Sequence, residues 1–86
     1  MTAVIEPFRI DVPQAVLDDL GERLRRTRLP GAPADAGWTY GTSPEYLQRL
    51  LDYWRREYDW RAVEARLNRM PQFTTSVGGY RIHLVH

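Results

Sequence analysis

Apolar and polar residues alternate along Pro7-Phe8-Arg9-Ile10-Asp11-Val12, which predicts an extended segment. Pro13 suits a first helical position, where a missing N–H costs nothing, and a helix is expected from about residue 13 to near Thr27. Val16, Leu17, Leu20 and Leu24 recur there at helical spacing, with Asp19/Arg23 and Glu22/Arg26 four apart and basic residues gathered toward the C-terminal end. Leu29-Pro30-Gly31-Ala32-Pro33 forbids continuation, and Leu29 to Gly41 reads as an irregular segment. Thr42 with Glu45 has capping-box spacing, and Pro44 suits the first turn of a second helix. Its apolar face is Tyr46, Leu47, Leu50, Leu51, Trp54 and Tyr58, opposite Arg49, Asp52 and Arg56. Asp59 is the expected N-cap of a third helix, marked by Trp60, Val63, Leu67 and Met70 and stopped by Pro71. From Phe73 the period changes to two. Phe73, Thr75 and Val77 share one side, Gly78-Gly79 makes a two-residue turn, and Tyr80, Ile82 and Leu84 return on that same side.

The predicted fold class is therefore α+β: an N-terminal extended segment, three amphipathic helices and a C-terminal β-hairpin, in one small domain over residues 1–86. No internal repeat or low-complexity tract interrupts it. An isolated hairpin is marginal in water, and an apolar edge strand invites pairing unless it is covered. A strand ending on Leu84-Val85-His86 is thus expected to continue into further sheet, in this polypeptide or in a partner.

Composition narrows the function classes. Apolar residues at 43%, charged at 27% and aromatic at 12% describe a folded globular chain rather than a disordered one. A net charge of +1, with arginine as the sole strong base, gives no field that predicts nucleic acid or membrane partners. No cysteine is present to make a disulfide or a thiolate metal site. No apolar run reaches membrane-spanning length and the N-terminus lacks signal-peptide character, so a soluble, cytoplasmic chain is expected.

No residue set in the chain predicts catalysis. His83 and His86 are three apart on a strand and point to opposite faces, so they cannot share a metal. Asp18 with Asp19, and Asp52 with Glu57, lack the spacing of a shared-proton pair. Ser43 and Ser76 have no Gly-x-Ser-x-Gly elbow and read as cap and strand residues. Gly78-Gly79 reads as a turn rather than a phosphate cradle. Arg23, Arg25, Arg26 and Arg28 form a basic cluster that nearby acids and the helix dipole explain. The helical spacing of Tyr46, Tyr53, Trp54, Tyr58 and Trp60 favours core over a ligand pocket, whereas Trp38 and Tyr40, on a loop, are better interface candidates.

Seven motifs in fixed order carry a resemblance: Pro7-Phe8-x-Ile10-x-Val12-Pro13, Thr27-Arg28-Leu29-Pro30, Gly37-Trp38-x-Tyr40-Gly41, Tyr53-Trp54, Asp59-Trp60-Arg61, Leu67-Asn68, and Pro71-Gln72-Phe73 through Ile82-His83. Together they resemble the N-terminal domain of microsomal-type epoxide hydrolases, the group that includes the juvenile hormone epoxide hydrolases. The resemblance implies a meander that wraps an α/β-hydrolase core and its cap domain, with residues 72–86 as the first hairpin of the hydrolase sheet. It further implies an enzyme, of a soluble and bacterial form, that hydrates an epoxide to a vicinal diol through an aspartyl ester, without cofactor or metal. All catalytic residues would lie beyond His86, so none is assigned here. The residues expected to pack between domains are Trp38, Tyr40, Trp54, Trp60, Phe73, Val77, Tyr80, Ile82 and Leu84. The alternative is a stand-alone, noncatalytic interaction module whose hairpin edge pairs with a separate hydrolase or with itself as a homo-oligomer.

Overall fold

Six elements follow one another in the order β1 (Ile5–Phe8), α1 (Gln14–Arg25), α2 (Pro44–Arg56), α3 (Trp60–Leu67), β2 (Gln72–Val77) and β3 (Tyr80–Val85). The computed structural model describes residues 4–86. They divide into two units, one formed by the segment up to Val12 with Asp59–His86, the other by Pro13–Tyr58.

In the first unit the strands form one antiparallel sheet in the order β1-β2-β3. The predicted hairpin is present, and the extended N-terminal segment adds a third strand to it. Gly78 (φ 56°) and Gly79 (φ 81°) both lie in the left-handed region, as a two-residue turn joining right-twisted strands requires. The register pairs Phe73 with Leu84, Thr75 with Ile82 and Val77 with Tyr80, while Ile5 and Pro7 pair with Thr75 and Phe73. Directly opposite residues share a face. Ile5, Pro7, Phe73, Val77, Tyr80, Ile82 and Leu84 therefore make one apolar face around Thr75. Glu6, Phe8, Gln72, Thr74, Ser76, Arg81, His83 and Val85 make the other.

The residues flanking a two-residue turn exchange both hydrogen bonds, and pairs alternate from there. Phe73 thus points its backbone at β3, so Pro7 opposite it turns its backbone nitrogen outward. A proline there costs the ladder nothing and blunts the β1 edge.

Asp59 caps α3 as expected, its Oδ1 accepting from the Ala62 N–H at 3.2 Å. The helix is shorter than its apolar spacing suggests. It closes at Leu67 because Arg69 and Met70 donate only three residues back, to Arg66 and Leu67, a tightening common at helix ends.

In the second unit α1 and α2 pack together, with Leu17, Leu20, Leu24, Leu47 and Leu51 half-buried. Pro13 sits one position before α1, and its carbonyl accepts from Val16 and Leu17. The cap of α2 is Ser43 rather than Thr42. The Ser43 Oγ accepts from the Tyr46 N–H at 3.4 Å and Pro44 takes the first helical position; the rigid φ of Pro44 fixes where the helix begins, one residue later than the Thr42/Glu45 spacing implies. Between the helices, Ala36, Thr39 and Gly41 each donate three residues back, to Pro33, Ala36 and Trp38, so the irregular segment is a run of tight turns.

A Cβ at Gly78 or Gly79 would meet no atom within 4 Å, so substitution there is limited by backbone conformation alone. Gly79→Val should destabilise the chain by about 1–2 kcal/mol, since a branched residue resists positive φ. Gly78→Asn should cost under about 0.5 kcal/mol, since asparagine tolerates that region. Urea melts of the two variants followed by circular dichroism check the contrast.

Candidate docking surfaces

The polar face of the sheet is covered only over its central strand. Gln72 and Thr74 are buried, and the rings of Phe8 and His83 meet edge to face with centroids 5.2 Å apart. Strands stand about 4.8 Å apart, so rings from β1 and β3 can touch only by closing over β2. Gln72 works beneath them. Its Nε2 donates to the Leu67 carbonyl (2.9 Å) and, at 3.4 Å, to the Asn68 Oδ1, while its Oε1 lies 2.9 Å from the His83 Nε2. An amide oxygen only accepts, so Nε2 of His83 carries the proton.

Asn68 extends this network to the N-terminal segment. Its Oδ1 accepts from the Ile10 N–H and its Nδ2 donates to the Ile10 carbonyl, both at 2.8 Å, so the side-chain amide pairs Ile10 as a neighbouring strand would. Two residues on, the Val12 N–H donates to Glu64 Oε2 at 2.9 Å. The same carboxylate accepts from the Trp60 indole N–H (3.2 Å) and from Arg61 Nη1 (2.9 Å to Oε1). The extended path predicted for residues 7–12 is therefore present, but its second half pairs with side chains of α3 and its cap rather than with a strand.

Glu64 is 8% exposed. The Val12 amide is the main reason its carboxyl titrates below the ordinary value of 4.5. Desolvation opposes that shift, and Arg61 and Trp60 support it.

The opposite, apolar face of the sheet lies open. Val77, Tyr80 and Ile82 are 60%, 75% and 44% exposed, Ile5 is exposed as well, and Phe73 and Leu84 are half-buried. No apolar residue among those described is fully buried.

The second unit has a surface of its own. Trp38 is 59% and Tyr40 79% exposed on the loop, and Trp38 stacks at a tilt on Tyr46 of α2, centroids 5.1 Å apart. Tyr46, Leu50, Tyr53, Trp54 and Tyr58 are all exposed. This corrects the expectation of a core role for the α2 aromatics. The α2 positions that lose water are Leu47 and Leu51, whereas the stripe centred on Tyr46, Leu50 and Tyr53 faces solvent. Trp60, half-buried like Phe73 and Leu84, departs from the other expected packing residues in having its N–H committed to Glu64.

Other candidates take structural places. Asp19 pairs with Arg23 and Glu22 with Arg25 and Arg26, all on the exposed surface of α1. Asp18 accepts from Gln14 and Asp52 from Gln48. Ser76 lies in β2, and the His86 N–H donates to the Pro71 carbonyl. Among the described residues no group of acidic, histidine or cysteine side chains could hold a metal ion, and no helix is long and apolar enough to cross a membrane.

Residues 5–86 match the family model described as Epoxide hydrolase N terminus. A Stigmatella aurantiaca protein is 46% identical over 82 residues, covering 95% of this chain and 19% of its own length. Epoxide hydrolase 1 of Sus scrofa is 34% identical over 82 residues, covering 95% of this chain and 18% of itself. The solved structure of an Aspergillus niger epoxide hydrolase superposes with a TM-score of 0.85 at 35% identity, covering 95% of this chain and 22% of that one. The crystal structure of juvenile hormone epoxide hydrolase from Bombyx mori gives a TM-score of 0.89 at 30% identity, covering 98% and 20%. The chain thus spans about a fifth of the relatives it matches.

Glu64 sets a pH dependence whose sign follows from its lowered value. Its stabilising contribution is fully present above the unfolded value of 4.5 and disappears as pH falls through the lower folded value. Thermal melts between neutral pH and the acid limb should lose midpoint in that window, and Glu64→Gln should flatten the slope. Glu22, lowered by its bond to Arg25 but on an exposed helix surface, should change the slope far less when replaced by glutamine.

Proposed function

The chain belongs to the epoxide hydrolase N-terminal family, and from that premise we propose that it is the structural front segment of an enzyme that hydrates an epoxide to a vicinal diol. The aspartyl ester of that reaction would form in the remaining part of the enzyme. This segment would pack on an α/β-hydrolase core and its cap, supplying no catalytic group. Its share of the relatives' length supports that division of labour.

One observation carries the reading: the sheet buries Gln72 and Thr74 on its polar face and leaves Val77, Tyr80 and Ile82 open on its apolar face. In water a two-layer domain does the reverse. The inversion suits a sheet whose apolar side is covered by another body. Ile5, Phe73, Val77, Tyr80, Ile82 and Leu84 would lie against that body, and the unblunted β3 edge would accept its next strand. Trp38, Tyr40 and Trp54 would hold the second unit against the same enzyme.

Self-pairing, through the hairpin edge or the sheet face beside it, is the weaker reading. Three strands of at most six residues cover about 14 by 20 Å, under about 300 Å². A stable interface needs about 800 Å² per partner.

The complete polypeptide that carries this segment in its source should hydrate a simple aryl epoxide to the diol. A version lacking residues 1–86 should lose nearly all of that activity together with its cooperative melt. Unchanged activity and melting midpoint in the shortened form would sink the proposal.

A further inference from the structure

We propose that Tyr46, Arg49, Leu50, Tyr53, Trp54 and Arg56 form a docking ridge for an acidic, acceptor-rich protein surface, and that the surface is on the hydrolase body itself. The inference rests on the function proposed above and adds the chemistry of one face of the partner. Steps of three and four link these six positions into one broad surface of α2 (Pro44–Arg56), with Arg49 and Arg56 at its edge rather than opposite it as the sequence pattern suggests. Tyr46, Leu50, Tyr53 and Trp54 are exposed along it, and Arg49 and Arg56, two turns apart, flank one side.

The ridge is rich in donors that nothing in the chain uses. Neither arginine makes an ion pair or hydrogen bond among the described residues. Asp52 lies within a turn of both, yet it accepts from Gln48 instead. The Tyr46 and Tyr53 hydroxyls and the Trp54 indole N–H likewise have no partner among the described residues. The Trp60 indole, by contrast, is committed to Glu64. An arginine guanidinium offers five donors and no acceptor, and an indole one donor only.

A purely apolar partner that covered the ridge to its edge would strip water from both guanidinium groups and return nothing, which is costly for each buried charge. A partner carrying carboxylates opposite Arg49 and Arg56, and carbonyls opposite the aromatic rims, satisfies every group while still burying the ring faces. Tyrosine, tryptophan and arginine are also the side chains that concentrate binding energy at protein interfaces.

The test is the salt dependence of stability in the complete polypeptide. Arg49→Gln with Arg56→Gln should lower the melting midpoint by about 2–4 °C at about 20 mM salt, and the loss should fade at about 0.5 M, where screening is short-ranged. An equal loss at both salt levels, or none at either, would overturn the ridge. In the 86-residue chain alone the same double substitution should leave helix content unchanged. A fall there would show that the arginines serve α2 itself, and would overturn it too. Arginine-dependent binding of the free chain to phosphatidylserine vesicles, with the polypeptide's melt insensitive to the substitutions, would assign the ridge to a lipid surface and overturn the protein partner. Salt insensitivity with epoxide hydrolysis intact counts against the ridge alone, whereas absent hydrolysis in the unsubstituted polypeptide counts against the enzyme reading.

Discussion

The constraint that shapes this chain is the want of an enclosed apolar core. Its apolar residues make up 43% of the sequence, yet none of those described is fully removed from water. Small domains bury a modest share of their surface at best, and here the usual drive of hydrophobic burial is only partly used within the chain. Order in the first unit therefore leans on directed hydrogen bonds: those of the sheet ladder and α3, and beyond them bonds from side chain to backbone. Glu64 on Val12, Asn68 on Ile10 and Gln72 on Leu67 tie together segments that no sheet ladder or helix repeat connects.

These bonds have a consequence for the sheet. Gln72, Thr74 and His83 share the face that the network closes. Once Gln72 is satisfied beneath Phe8 and His83, strand alternation leaves Phe73, Val77, Tyr80, Ile82 and Leu84 no direction but outward. Turning the sheet over would expose the aliphatic residues to the polar network and orphan its donors and acceptors, each a loss of about 1–3 kcal/mol. The choice of which face lies open is thus made by polar residues on the other one.

What was legible in the sequence follows from the range of the forces involved. The three helices and the hairpin rest on periodicity, on Asp59 as a cap and on paired glycines, all local signals, and each is found close to where it was expected. The cap at Ser43 shows the grain of such signals, since one proline shifted it by a residue. The network was not legible, because Glu64 and Asn68 act on Val12 and Ile10, 52 and 58 residues away. A signal existed: Trp60, Glu64 and Asn68 stand four apart on one helical face, an acid and an amide beside a tryptophan where a core stripe would be aliphatic. Asn68, Gln72 and His83 fall within the motifs that carry the resemblance, whereas Glu64 does not. The α2 aromatics were misjudged for the opposite reason. Helical spacing tells which residues share a face, not whether that face meets the chain's own interior or something else.

Burying polar groups while apolar ones stay exposed also suits the proposed role, in which the segment would join a larger body. Docking costs whatever freedom the docking surface loses. A face presented by a hydrogen-bonded sheet, with its register set by the Gly78-Gly79 turn and its strands tied on the far side by the bond between Gln72 and His83, has already lost most of that freedom before contact. Apolar contact is tolerant of small misfits, whereas a hydrogen-bond network is not. Placing the exacting interactions within the segment and leaving the tolerant ones for its boundary would let a partner's surface vary without disturbing how the segment folds.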